Sequence, residues 1–287
     1  MLPVFTNVKD LRQYLDNQEN KTIGFVPTMG ALHHGHVSLV QEAKQRNNQV
    51  VCSIFVNPTQ FNDKSDLEKY PRTLEADIDL LQKAGCNALF LPTYDEIYPP
   101  NFDFDFMPNV GKLAEYYEGA HRPGHFKGML QVVRRLLEAV KPQFLYMGQK
   151  DYQQQLLCKR MIDVLQLPVQ LIRCPIIREP HGLAMSSRNE RLTPTSRLLA
   201  AQIHNTLNIL KTNIIQHPQN WENALNNARK ELDTIPFQLD YLDIACADTL
   251  SPWQPSTQPA VILVVTKLDG VRLLDNLLFQ LNFTQNL

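Results

Sequence analysis

The chain has 287 residues, long enough to bury a substantial core in one large domain or two modest ones. Its 44% hydrophobic and 20% charged residues describe an ordinary globular protein rather than a disordered one. A formal net charge of −1 provides no global field for nucleic acid or an anionic membrane, though a local basic pocket stays possible.

The first seven residues lack a basic region followed by an apolar signal core, and the longest clean apolar run, 260–265, is far too short to span a bilayer. Cys52, Cys86, Cys158, Cys174 and Cys246 are scattered and form no CxxC pair, which argues against a disulfide framework and a zinc ribbon. A cytoplasmic protein, neither exported nor embedded, is expected.

Asn7 or Thr6 can cap a first helix reaching about residue 16, followed by a buried strand at 22–26. Next comes Pro27-Thr28-Met29-Gly30-Ala31-Leu32-His33-His34-Gly35-His36. Beyond it, Val37, Leu39, Val40 and Ala43 recur at helical spacing through about residue 44. The stretch is therefore a strand-to-helix turn. Gly30 and Gly35 permit backbone conformations and close ligand approach that a Cβ would resist, and the helix opens with N–H groups that have no partner within it. An anion can satisfy them, aided by the helix dipole, with His33 and His36 placed to donate to phosphate oxygens. A merely tight connection is the plainer alternative. A metal reading of His33, His34 and His36 is weaker, because tetrahedral zinc needs three or four protein ligands and no Cys/His pair stands nearby. His34 reads as surface.

A continuous apolar strand at 49–56 suits a parallel sheet covered on both faces. Asn57-Pro58-Thr59-Gln60-Phe61-Asn62 follows it, at the edge where open α/β sheets bind ligands. A helix capped by Thr73 runs to residue 84 and ends at Gly85, and 88–91 is another strand. Residues 92–126 are irregular and too long for an ordinary connection, which marks a lid or binding loop, with Phe102, Phe104 and Phe106 as local packing. Met129, Val132, Val133, Leu136, Leu137 and Val140 give a helix an apolar face, with Lys127, Arg134, Arg135 and Lys141 solvated around it. A strand at 144–147 runs into Gly148-Gln149-Lys150-Asp151-Tyr152-Gln153-Gln154 at the start of a further helix. A last strand at 169–174 completes a five-stranded alternating unit with right-handed connections.

Beyond about 176 the pattern changes: residues 178–189 are loop-like, one long helix starts near Pro194, another covers 221–232, and strands fall at 238–245 and 260–267. The expectation is an α/β chain, with a Rossmann-like parallel-sheet domain over 1–176 and a smaller α+β C-terminal lid domain over 177–287.

Three segments then share the C-terminal edge of one parallel sheet: the histidine turn, the loop at 57–60 and the turn at 148–154. Lys150, Arg188, the hydroxyls of Ser186 and Ser187 and the helix-terminal N–H groups suit a triphosphate. Asp151 suits ribose hydroxyls. Gln60 and Gln154 are neutral amides fitted to a small polar ligand, with a structural or solvent-exposed amide as the alternative. There is no nucleophile elbow and no GxxxxGK[ST]. Direct attack of a substrate on a nucleotide phosphorus remains, catalysed by alignment and charge stabilisation.

With these residues assembled, the chain resembles the pantothenate synthetase (pantoate–β-alanine ligase) family of the HxGH nucleotidyltransferase superfamily, which includes class I aminoacyl-tRNA synthetases. The 27–33 stretch, Asn57-Pro58-Thr59-Gln60-Phe61, Arg122-Pro123-Gly124-His125-Phe126, Lys150-Asp151-Tyr152-Gln153-Gln154, Met185-Ser186-Ser187-Arg188-Asn189 and Arg272-Leu273-Leu274-Asp275-Asn276 carry the resemblance. It implies ATP-dependent condensation of pantoate with β-alanine to pantothenate, AMP and pyrophosphate through a pantoyl-adenylate, with Mg²⁺ and a homodimer. Residues 1–176 then form the nucleotide- and pantoate-binding domain.

By the same resemblance Met29, Gly30, Ala31, Leu32, His33, His34, Gly35 and His36 line the ATP site, with His36 as proton donor and His33 as its phosphate-binding companion. Gly148, Gln149, Lys150 and Asp151 hold the nucleotide, Ile177 meets adenine, and Met185, Ser186, Ser187 and Arg188 close over the triphosphate. Gln60 and Gln154 bind pantoate, Gln60 also lies near β-alanine, and Asn57 supports that pocket. Three residues depart from the family pattern: Gln149 for Glu, His181 for Asp and Gln131 for Thr. A nucleotidyltransferase acting on another acceptor, such as a mononucleotide phosphate, is one rival; Gln60 and Gln154, in place of a second cationic cluster, speak against it. A catalytically silent nucleotide-binding protein is the other, and the presence of His33, His36, Lys150 and Arg188 speaks against that.

Overall fold

Alternate residues of an extended chain point to opposite faces, so a strand that is apolar at every position has to be covered on both sides. β1 (Val4–Phe5), β2 (Ile23–Thr28), β3 (Gln49–Ile54), β4 (Ala88–Phe90), β5 (Phe144–Gly148) and β6 (Gln170–Cys174) form one parallel sheet in the order β1-β4-β3-β2-β5-β6. In β2, Phe25 belongs to one core and Val26 to another; in β3, Val51 and Val50 divide in the same way. α1 (Val8–Asp16) and α7 (His125–Val140) supply one core, and α2 (His34–Arg46) and α4 (Leu74–Lys83) the other.

The computed structural model describes residues 1–18, 21–62, 64–234 and 236–282. It has two units, 1–149 with 153–175, and 150–152 with 176–287. The sheet belongs to the first. From β2 the chain winds outward through β3 and β4, and then returns to place β5 and β6 on the other side of β2. β2 and β5 therefore flank the topological switch point, outside whose carboxyl ends such sheets bind ligands.

The sheet has six strands, not five. β1 is two residues long and pairs with β4 at the edge, too short to show any periodicity. Asn7 caps α1 as expected, its side chain accepting from Asp10 N at 2.9 Å. The irregular stretch carries α5 (Tyr94–Ile97) and α6 (Glu118–His121), and α3 (Lys64–Glu68) precedes α4. Its aromatics do pack locally: Tyr98, Phe102 and Phe104 lie with ring centroids 4.8–5.4 Å apart. Gln131, one of the departures, is buried in α7 and donates to the carbonyls of Phe104 and Phe106. Arg134 is not simply solvated, since its guanidinium lies 4.0 Å from the Phe106 ring centroid. α8 (Tyr152–Val164) leads to β6.

In the second unit α9 (Pro194–Leu199), α10 (Ala201–Gln216) and α11 (Trp221–Leu232) accompany the antiparallel sheet β7 (Gln238–Cys246), β8 (Ala260–Leu268) and β9 (Val271–Phe279). The single long helix expected from Pro194 divides at Ala200, where the Ile203 N–H turns back to the Ala200 carbonyl. β9 was not anticipated. Its signal is Asp269-Gly270, both at positive φ, the two-residue turn that joins antiparallel strands. Trp253 fills this core against Trp221 and Phe279.

No described helix is long and apolar enough to cross a membrane. Cys52, Cys86, Cys158 and Cys174 are buried and Cys246 is half-buried. Burial pushes the thiols up, to about 12 at Cys158 and about 11 at Cys86 and Cys174.

Candidate active site

At the end of β2 the chain reverses through two left-handed residues, Gly30 at φ 81° and Ala31 at φ 51°. For a residue with a Cβ this conformation costs about 1–2 kcal/mol, so surrounding contacts must hold it. Thr28 Oγ1 donates to the Ser53 carbonyl at 2.7 Å and accepts from Gly30 N at 3.2 Å. The next two N–H groups, of Ala31 and Leu32, donate to the two oxygens of Asp77 at 2.9 and 2.8 Å.

α2 then starts with a reciprocal cap. His33 Nδ1 accepts from Gly35 N at 3.1 Å, and His36 Nδ1 accepts from His33 N at 3.3 Å. This is the capping-box arrangement with imidazoles in both roles. A neutral imidazole that accepts at Nδ1 carries its proton on Nε2. In that form both rings, centroids 4.1 Å apart, present Nε2–H as the donor. His34 is exposed, as expected of a surface residue.

After β3 a 3₁₀ turn, Pro58–Gln60, is fixed by Asn57, which is buried. Asn57 Oδ1 accepts from Thr59 N, Thr59 Oγ1 and Tyr98 Oη, and its Nδ2 donates to Gly128 O and to Gln60 Oε1, both at 3.2 Å. Because the Thr59 N–H and Gly128 carbonyl cannot exchange roles, they set the Asn57 amide, which in turn sets that of Gln60. Gln60 consequently directs Nε2 to Met29 Sδ, 2.9 Å away. Its main-chain carbonyl is held by His125 Nδ1 at 2.7 Å, while the other ring nitrogen faces Arg122 at 3.1 Å. Burial pushes the Tyr98 phenol up to about 12, so it stays a neutral donor.

Gly148 ends β5 and Gln149 opens the 3₁₀ turn after it, both half-buried next to the switch point, and Gln154 is half-buried in α8. Its neighbour Gln153 is buried and structural, donating to the carbonyls of Leu113 and Tyr116.

The second unit brings a different subset together. Lys150, Ser186 and Arg188 line a shallow concavity with Arg272 and Asp275. Asn276 Nδ2 holds the Lys150 carbonyl at 2.9 Å, and Ser186 Oγ accepts from Arg188 N at 3.3 Å. Arg178 grips Asp275 through two bonds of 2.6 and 2.9 Å. Asn189 donates to Glu179 and to the Ala184 carbonyl, and Met185 N donates to Ile177 O at 2.9 Å. Burial alone would raise the Glu179 carboxyl, but hydrogen bonds from Arg197 and Asn189 outweigh it and hold the group below its ordinary value. His181, another departure, faces the Arg197 carbonyl at 2.9 Å. Asp151 is exposed and Ser187 half-buried.

Asp77, Tyr98 and Arg178 escape sequence reasoning. Asp77 leaves one trace: it lies on the helical stripe of Leu74, Ile78 and Leu81, where an acid is out of place unless its charge is satisfied inside.

A doubly wound parallel sheet whose switch-point strand runs through an HxGH turn into the following helix defines an α/β protein with its ligand site at the carboxyl edge of the sheet. Comparison with known proteins narrows this. The profile of the pantoate-beta-alanine ligase family matches residues 3–278. Pantothenate synthetase of Cytophaga hutchinsonii is 42% identical over 280 residues, spanning 95% of this chain and 97% of its own. That of Porphyromonas gingivalis is 42% identical over 97% of this chain and 100% of its own. Pantothenate synthetase from Thermus thermophilus superposes with a TM-score of 0.89 at 40% identity over 96% of this chain and 99% of that one. Pantoate-beta-alanine ligase from Francisella tularensis, complexed with beta-gamma ATP and beta-alanine, gives 0.79 at 36% identity over 97% and 98%. The chain belongs to the pantoate–β-alanine ligase family.

Proposed function

We infer that this chain uses ATP to condense (R)-pantoate with β-alanine, releasing AMP and pyrophosphate. The observation that carries the reading is the pairing, at one sheet edge, of two imidazoles whose Nδ1 atoms are taken up by the main chain with the neutral amide of Gln60, its Nε2 lying 2.9 Å from Met29 Sδ. The first element suits phosphate and the second suits the oxygens of a hydroxy acid.

In the first half-reaction a pantoate carboxylate oxygen attacks the α-phosphorus and the bond to pyrophosphate breaks. Charge accumulates on the phosphate oxygens, and the Nε2–H groups of His33 and His36 are directed donors for it, with Lys150 and Arg188 as cations. In the second, the β-alanine nitrogen attacks the acyl carbon, AMP leaves and the amine loses its proton. Gln60 and Gln154 hold pantoate, with Asn57 orienting Gln60. Gly148, Gln149 and Asp151 serve the nucleotide, Ile177 its base, and Met185, Ser186 and Ser187 the phosphates. Magnesium would enter with ATP, since Mg²⁺ at nucleotide sites is held largely by substrate phosphates and water. The family resemblance extends to a homodimer, which sedimentation would register as twice the 33.0 kDa chain.

Pyrophosphate exchange into ATP, with Mg²⁺ and D-pantoate present and β-alanine absent, isolates the first half-reaction. Exchange that depends on pantoate is expected. Folded protein that binds ATP without exchanging would overturn the assignment.

A further inference from the structure

Asp77 lies in α4, 46 residues along the chain from Ala31, outside the stretches that carry the resemblance. Its side chain is 1% exposed, and three protein donors converge on it: Ala31 N on Oδ2, and Leu32 N and Thr73 Oγ1 on Oδ1. A buried carboxylate persists only where its charge is met by hydrogen bonds, and here most of that satisfaction comes from the strained turn itself. The clamped N–H groups belong to Ala31, the second residue of the left-handed pair, and to Leu32, which directly precedes His33, whose main-chain N–H is the one His36 Nδ1 accepts.

We propose that Asp77 is a positioning residue for adenylation: its carboxylate holds the main chain at Ala31 and Leu32, and so sets where the imidazoles of His33 and His36 stand. Both oxygens are committed to protein donors, so the role is exercised through the turn rather than on substrate. The inference rests on the assignment of these imidazoles to the phosphates. An amide cannot replace the acid here. An asparagine side chain in either orientation would turn an NH₂ toward a main-chain N–H, leaving one buried donor without an acceptor and letting the turn relax toward ordinary φ. Displacement of about 1 Å at a catalytic group is enough for a hundred-fold loss.

The test measures pantoate-dependent pyrophosphate exchange for Asp77→Asn, Thr73→Val and His36→Ala, at a temperature where circular dichroism reports each variant folded. For Asp77→Asn, kcat should fall by about 10- to 100-fold while the KM for pantoate stays within about two-fold, because the amide at Gln60 is held by other contacts. A purely structural role would leave folded protein with near wild-type kcat, so a folded Asp77→Asn exchanging within about three-fold of wild type would overturn the proposal. Should Asp77→Asn fail to fold, Thr73→Val decides: it removes one donor to Oδ1 with little change of shape, and should lower kcat by about three- to ten-fold with pantoate KM unchanged. An unaltered kcat in that variant would equally refute the clamp. If His36→Ala itself exchanges normally, the imidazole assignment fails, a result distinct from a normal Asp77→Asn beside a crippled His36→Ala.

Discussion

A histidine whose Nδ1 is engaged by the main chain can act in only one way on what lies beyond it, and His33 and His36 are both so engaged. Removing one preorganised donor from developing phosphate charge typically lowers turnover by two to three orders of magnitude. His36→Ala and Lys150→Ala should each reduce exchange by about 100- to 1,000-fold, and a rate near wild type would take that residue out of the catalytic set. Gln60→Ala should raise the KM for pantoate and leave ATP binding as it was; equal weakening of both would indicate misfolding. The strand-to-helix turn was legible because it falls within ten consecutive residues, whereas the reciprocal imidazole cap, which occupies N–H groups expected to be open, was not. Asn57 was legible as a supporting residue, but its means of support was not: the orientation of its amide depends on the carbonyl of Gly128, 71 residues away. Hydrogen-bond partners at such separations leave no spacing to read.

Among the elements, α7 and the 3₁₀ turn at Pro58–Gln60 approach so closely that a Cβ on Gly128 would stand 2.5 Å from the Thr59 carbonyl oxygen. Neither backbone can yield without moving the turn that carries Gln60. Gly128→Ala should therefore destabilise by about 1–3 kcal/mol, the usual range for overpacking, and raise the KM for pantoate more than that for ATP. Urea midpoints and substrate titrations would check the two effects separately. Elements with a full period of apolar residues or an explicit cap, such as α1, β3 and α11, follow from the sequence almost to the residue. The exceptions have physical reasons. β1 is shorter than one period, the division between α9 and α10 has no proline or glycine to mark it, and β9 depended on taking Asp269-Gly270 as a hairpin turn.

Across the whole molecule each unit closes its own hydrophobic core, and the second adds partly buried ion pairs. Arg178–Asp275, Arg197–Glu179 and Arg272–Asp240 all lie within it. At Asp240, as at Glu179, burial would raise the carboxyl, yet Arg272 and Lys267 hold it below its ordinary value. A carboxyl depressed in the folded state stabilises above the unfolded pKa, about 4 for these groups, and that stabilisation disappears as pH falls through the lower folded value. Urea midpoints should therefore drop steeply between about pH 5 and 3, and Arg197→Met should flatten that drop. An unchanged slope would remove Glu179 from the acid response. The five cysteines carry a practical corollary. Four are sealed inside and three of these hold their protons to about pH 11 or 12, whereas Cys246 is within reach of solvent. A thiol-directed fluorophore at neutral pH should therefore settle on Cys246, giving the native chain a single spectroscopic address without engineering.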